Sequence, residues 1–172
     1  MRSIPAFLAL LCIQLITKPM YAQFTANPAN SGTVSYSTVT SNGNFSSAIL
    51  RATANAGYAF SGVFNYVDQW GYQRSGGSYG SNTLTLNNRV QKAEGIFLKL
   101  YSISAVSSPA DAGTITGTGP NPETKFAALT ANPAPGYGLK NWTIGGTEVS
   151  TAITYNHTVS KDTTVTANFT KL

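Results

Sequence analysis

The sequence predicts an all-β protein, built as two tandem small antiparallel modules behind a cleaved export segment. Three observations carry that expectation. Helix formers are scarce, while Thr, Ser, Asn, Gly, Val and Tyr abound and charged residues make up only 10 % of the 172 residues, a composition suited to pleated, half-buried strands. Alternation of the kind Thr164-Val165-Thr166-Ala167-Asn168-Phe169 recurs along the chain, and a period of two is the strand signature. Finally, the chain is written twice.

The amino end comes first. Arg2, an apolar run from Ile4 to Ile16, and then Lys18, Pro19 and a polar exit to Ala22 have the layout of a secretory signal peptide. The run is shorter than the roughly 20 apolar residues that a membrane-spanning helix needs, and no later stretch qualifies. Cleavage is expected after Ala22, giving a signal peptide over 1–22. Leu11 before Cys12 is too large for a lipid-attachment site. Loss of residues 1–22 removes Cys12, the one cysteine, so the exported chain has no disulfide and no thiolate ligand. It also removes Arg2 and Lys18, lowering the formal charge from +5 to +3, and the remaining basic residues are scattered singly. Nucleic-acid binding would need a basic stripe, which is absent.

The duplication sets the order of the remaining elements. Pro28-Ala29-Asn30-Ser31-Gly32-Thr33-Val34 returns as Pro109-Ala110-Asp111-Ala112-Gly113-Thr114-Ile115. Ala54-Asn55-Ala56-Gly57-Tyr58 returns as Ala131 to Gly136-Tyr137, two residues longer. Val90-Gln91-Lys92 with Ile96 to Leu100 returns as Val159-Ser160-Lys161 with Val165 to Phe169. Two units are therefore expected, 24–100 and 101–172. Each has an opening strand, a Pro-x-x-x-Gly turn, a strand from Gly-Thr-Val or Gly-Thr-Ile, and a strand of alternating small and apolar residues. A Gly-Tyr turn, where glycine suits a positive φ, leads into the next strand, and a closing hairpin turns at Ser160 to Thr164. The first unit spends 26 residues between Val63 and Val90 where the second spends 16 between Trp142 and Val159. The surplus reads as an inserted hairpin over 64–88.

That grammar resembles the divergent internalin-B-type B-repeat family of exported bacterial proteins. The second unit carries the resemblance closely, through Pro109, Gly113, Leu129, Thr130, Ala131, Pro133, Gly136, Tyr137, Trp142, Val159, Asp162, Val165, Ala167 and Phe169. The first departs from it, with Val63 in place of the tryptophan, Ala93 in place of the aspartate, Leu100 in place of the last phenylalanine, and no proline before Gly57-Tyr58. The resemblance implies compact β modules of a β-grasp-like kind, serving as stalks, spacers or adhesive parts of surface proteins, and it implies no catalysis.

Reactive groups are few. One histidine, His157, and six carboxylates, Asp68, Glu94, Asp111, Glu123, Glu148 and Asp162, are all the mature chain offers. A zinc site lacks ligands, no Gly-x-Ser-x-Gly elbow occurs, and no Asp-x-Asp run suggests calcium. A carboxylate pair for glycoside hydrolysis is the weakest reading. No cofactor is expected, and the chain is read as a non-enzyme. Trp142 is expected in the core, opposite Val63.

One stretch stands apart, Val67-Asp68-Gln69-Trp70-Gly71-Tyr72-Gln73-Arg74 and on to Tyr79. Aromatic side chains on a glycine-rich loop can stack on sugar rings or anchor a protein partner. Tyr66, Asp68, Trp70, Tyr72, Arg74 and Tyr79 are therefore the candidate ligand-binding residues, for a cell-surface glycan or protein. The alternative is that these aromatics only cover their own hairpin. Free strand edges add the expectation of self-association.

Overall fold

The computed structural model describes residues 23–41, 44–78 and 80–172. Residues 1–22, expected to be a signal peptide, and Tyr79 lie outside the described residues. Fourteen strands and no helix are present among them: β1 (Gln23–Asn27), β2 (Gly32–Ser41), β3 (Asn44–Ala54), β4 (Tyr58–Asp68), β5 (Gln73–Gly76), β6 (Thr83–Leu86), β7 (Val90–Ser108), β8 (Gly113–Thr116), β9 (Gly119–Pro122), β10 (Phe126–Pro133), β11 (Tyr137–Ile144), β12 (Thr147–Ser150), β13 (Thr154–Thr158) and β14 (Thr163–Lys171). The fold is all-β with two repeated modules. Each consists of part of a large mixed sheet faced by a three-stranded antiparallel sheet.

One strand organises everything. The 19 residues of β7 run through the expected border at 100 and 101 without a break. The amino-terminal part pairs with β1, parallel, and with β4, antiparallel. The carboxy-terminal part pairs with β9, antiparallel, and with β14, parallel. β7 is thus the last strand of the first unit, as β14 is of the second, and also the opening strand of the second unit, as β1 is of the first. Both opening strands end at a cis proline, Asn27-Pro28 and Ser108-Pro109.

The smaller sheets are ordered β2-β3-β6 and β13-β10-β8. Ala48, Leu50 and Ala52 on β3 face inward, and so do Ala127, Leu129 and Ala131 on β10, all at most 3 % exposed. The same Ala-x-Leu-x-Ala therefore builds one wall of each core. Phe64, Tyr66 and Phe97 complete the first, and Trp142, Val165 and Phe169 the second. Glycine is required by close approach at Gly32 and Gly113. A Cβ on Gly32 would lie 2.5 Å from the Phe97 ring, and one on Gly113 would lie 2.7 Å from the Phe169 ring. Gly57 and Gly136 take the positive φ expected of the Gly-Tyr turns, 81° and 80°.

The pairings correct the register of the duplication. Ala52, not Ala54, corresponds to Ala131, since they face Val34 and Ile115, and the two added residues disappear. Phe60 opposite Phe97 matches Leu139 opposite Phe169, so the last phenylalanine of the motif is present in the first unit, as Phe97 and not Leu100. Phe64 opposite Gly95 matches Trp142 opposite Ala167. Trp142 is in the core as expected, but its counterpart is Phe64, fully buried, while Val63 is 39 % exposed. Ala93 consequently stands at the position of Val165. The physical reason is that Ile96 to Leu100 is apolar on both faces, so the alternation there does not say which residues point inward. Hydrogen-bonded pairing does.

The hairpin expected as an insertion has a counterpart. β4 and β5 match β11 and β12, and β6, which pairs with β3, matches β13, which pairs with β10. The first unit has a longer first hairpin strand and longer connections on either side of β5 than the second has around β12. The closing turn also differs from a hairpin, because β13 pairs with β10 while β14 pairs with β11 and β7. The chain crosses there from one sheet to the other, and Asp162 Oδ1 fastens the crossing by accepting the Ser102 N–H at 2.8 Å.

Candidate functional site

The tip of the β4–β5 hairpin is organised by one carboxylate. Asp68 is the last residue of β4 and is fully buried. Its Oδ1 accepts the backbone N–H groups of Trp70 and Tyr72, each at 3.0 Å, and its Oδ2 accepts Arg74 Nε at 2.8 Å. An aspartate can bond forward to its own turn in this way because its side chain is short. Gly71 at φ 90° supplies the reversal, and the Asp68 N–H donates to Tyr72 O at 3.0 Å to close it. Burial pushes the Asp68 carboxyl up, but the Arg74 guanidinium and the two backbone N–H groups outweigh it and hold the group below the ordinary carboxylate range. The same pair raises Arg74.

Held by that clamp, the aromatic residues divide. Tyr66 is 9 % exposed and belongs to the core. Trp70 and Tyr72 are 64 % and 63 % exposed, so most of each side chain faces outward. Arg74 reaches back over Tyr72, its Cζ 5.7 Å from the ring centroid, a cation–π distance. Gln69 anchors the loop to the start of β7, accepting the Arg89 N–H at its Oε1 and the Gln91 Nε2 at its backbone oxygen. Of the six candidates, then, Tyr66 packs, Asp68 and Arg74 position, Trp70 and Tyr72 face outward, and Tyr79 is outside the described residues.

Beside the hairpin a groove of about 670 Å3 opens across β1, β4, β5 and β7. Gln23, Thr25, Asn65, Gln73, Lys92 and Glu94 line it. Sequence reading missed these residues because four separate segments supply them, and each looks like an ordinary outward strand position until pairing brings Gln23 beside Lys92 and Val67 beside both Gln73 and Lys92.

Glu123, Glu148 and His157 are hydrogen-bonded to residues of the strands. Glu123 accepts the Lys99 N–H, and Glu148 accepts Asn141 Nδ2. His157 sits on β13 at the position of Leu86, partly buried, with Nδ1 3.3 Å from the Tyr155 hydroxyl. Its Nε2 is buried and has no hydrogen-bond partner, and burial lowers its pKa from the ordinary histidine value. Among the described residues no cluster of His, Cys, Asp and Glu could hold a metal ion.

The family model for the divergent InlB B-repeat domain matches residues 22–88 and again 103–172. The chain belongs to the divergent InlB B-repeat family. The two matches correspond to the two modules and leave out residues 89–102, which include the amino-terminal part of β7, the strand that two consecutive B-repeats share here. Such repeats are typical of bacterial surface proteins, and among the described residues no helix is long and apolar enough to cross a membrane. No curated protein and no solved structure matches the chain.

Proposed function

We propose that this B-repeat protein is a non-catalytic, exported component of a bacterial surface, with an adhesive role exerted through the first repeat. The observation that carries this reading is the pair of exposed aromatic side chains, Trp70 and Tyr72, on a tip that Asp68 and Arg74 hold in one conformation. A large exposed aromatic on a preorganised turn costs little entropy to dock, and aromatic anchors of this kind dominate binding energy where they occur. The adjoining groove favours a glycan: its amide and hydroxyl side chains, with Lys92, Glu94 and the Arg74 already paired to Asp68, and the ring of Tyr66, suit a polyhydroxylated ligand.

A second reading is favoured by β7. Two repeats joined by one continuous strand have no linker between them, which suits a spacer that holds a fixed separation. Glycan-array and pull-down binding of the chain, compared with Trp70→Ala and Tyr72→Ala, separates the readings. Adhesion through the tip predicts binding that both substitutions weaken at least tenfold. Binding indifferent to them sinks the tip, and no binding by the parent chain favours the spacer.

A further inference from the structure

The two repeats leave very different free edges on their smaller sheets. β2 and β6 are the outer strands of the first repeat's small sheet, and β2 pairs only with β3 among the described residues. β2 is ten residues long, GTVSYSTVTS, and no charged residue occurs anywhere from Phe24 to Leu50. Its counterpart β8 is four residues long. After it the chain turns away at Gly117, φ 91°, and is paired again as β9 on β7. Long, uncharged, β-branched edges are what soluble proteins ordinarily shorten, charge or cover. The second repeat does so. The first does not.

The backbone direction of that edge can be derived. Ala52 donates its N–H to Asn82 O at 2.9 Å, so the main-chain groups of Ala52, and by alternation those of Leu50 and Ala48, point toward β6. Their partners across to β2 are Val34, Tyr36 and Thr38. In an antiparallel pair such residues direct N–H and C=O to the other side, which here is the free edge. Thr33, Ser35 and Ser37 point the opposite way and bond β3. From Ser37 to Thr40 both faces of the strand are exposed, and from Val39 onward β2 is joined only to the part of β3 that β6 does not reach, a two-stranded ribbon that is only marginally stable alone.

We propose that β2 pairs antiparallel with β2 of a second copy of this chain. A second copy is the occupant this edge suits, because its free groups are self-complementary over a long strand that carries no charge to repel a like one. A two-fold axis through Tyr36 sets Val34, Tyr36 and Thr38 of one copy against Thr38, Tyr36 and Val34 of the other, so every free donor meets a free acceptor. The pairing joins the small sheets into one of six strands, and the charge-free stretch brings the copies together without local repulsion. This is β-augmentation with a like partner, and its interface is isologous. It does not rest on the ligand reading above, since the tip and β2 lie on different sheets.

The test is sedimentation velocity of the full chain over a micromolar concentration series, combined with amide hydrogen exchange at both ends of the series. A monomer–dimer equilibrium is expected, with Val34, Tyr36 and Thr38 amides gaining protection as dimer forms. Thr38→Pro removes an edge N–H that β3 does not use and keeps the core side chains. It should weaken dimerisation about tenfold or more, since one bond is lost from each half of the interface. Val39→Lys, which adds a charge at the exposed end of β2, is the second variant and should act in the same direction if Thr38→Pro perturbs folding. Thr116→Lys, on the short β8, should change nothing. The proposal is overturned by a chain that stays monomeric throughout, by a dimer that both β2 variants leave intact, or by edge amides already protected in the monomer, which would mean that another segment of the chain covers β2.

Discussion

The first repeat places Phe64 and Leu84 where the second places Trp142 and Tyr155. Phe64 lies 4.7 Å from Phe60, which lies 5.3 Å from Phe97, between ring centroids. In the second repeat Trp142 stands in the place of Phe64, its ring 6.3 Å from Tyr155, and its Nε1 donates to Ala152 O at 2.8 Å. A larger ring with a polar group has been accommodated by giving that group a partner on the segment after β12. The Ala-x-Leu-x-Ala wall and the Gly32 or Gly113 contact are unchanged. Apart from that exchange, the differences lie in the tip after β4, the length of β2 and the presence of β9. Packing therefore holds the frame constant while the hairpin tip and the sheet edges differ between copies.

The largest effect that could break this comparison is at the paired aromatic positions. Phe64→Ala and Trp142→Ala should each cost about 3–5 kcal/mol in denaturant unfolding. Val63→Ala should stay within about 0.5 kcal/mol. A Val63 substitution costlier than the Phe64 one would show that the register drawn from β4 and β7 is wrong.

Next come the glycines. Gly32→Ala and Gly113→Ala place a methyl 2.5 and 2.7 Å from backbone oxygens, of Thr53 and Asn132, besides the two phenylalanine rings. Each should destabilise by about 1–3 kcal/mol. Thermal melts giving clearly unequal losses would argue against equivalent packing in the two repeats.

The third effect depends on pH and separates the repeats. Because burial depresses the folded-state pKa of His157, the unfolded chain binds the proton more readily. Stability of the second repeat should fall as pH drops below about 6.5 and level off once pH is under the folded value. His157→Leu, which copies Leu86 of the first repeat, should flatten that slope between pH 7.5 and 5. An unchanged slope would remove His157 as its cause.

The smallest effect is confined to the tip. Asp68 has a lowered folded-state pKa, so its contribution is present above the ordinary value of 3.8 and is lost as pH falls through the folded one. Asp68→Asn should speed hydrogen exchange at the Trp70 and Tyr72 amides and leave the second hairpin unaffected. That one reverses at Gly145-Gly146, both at positive φ, and the groups that Asp68 holds, on Trp70, Tyr72 and Arg74, all belong to the first. Equal exchange in parent and variant would show that the clamp is dispensable.

Strand composition, the repeated Pro-x-x-x-Gly and Gly-Tyr turns and the family resemblance were all legible in the sequence alone, because local backbone preference and a period of two are written residue by residue. Trp142 could be assigned to a core for the same reason, and the aromatic tip could be noticed as a surplus. Tertiary structure alone decided which residue faces which. Val63 and Phe64 differ by one position, and a one-residue step carries a strand side chain to the opposite face, so only the pairing of Phe64 with Gly95 put Phe64 inside. It likewise decided that Asp68 is a buried clamp, that β7 serves both repeats, and that the edge groups of Val34, Tyr36 and Thr38 point away from β3. Those are properties of hydrogen bonds between residues far apart in the chain, and a linear pattern carries no information about which partner a strand will meet.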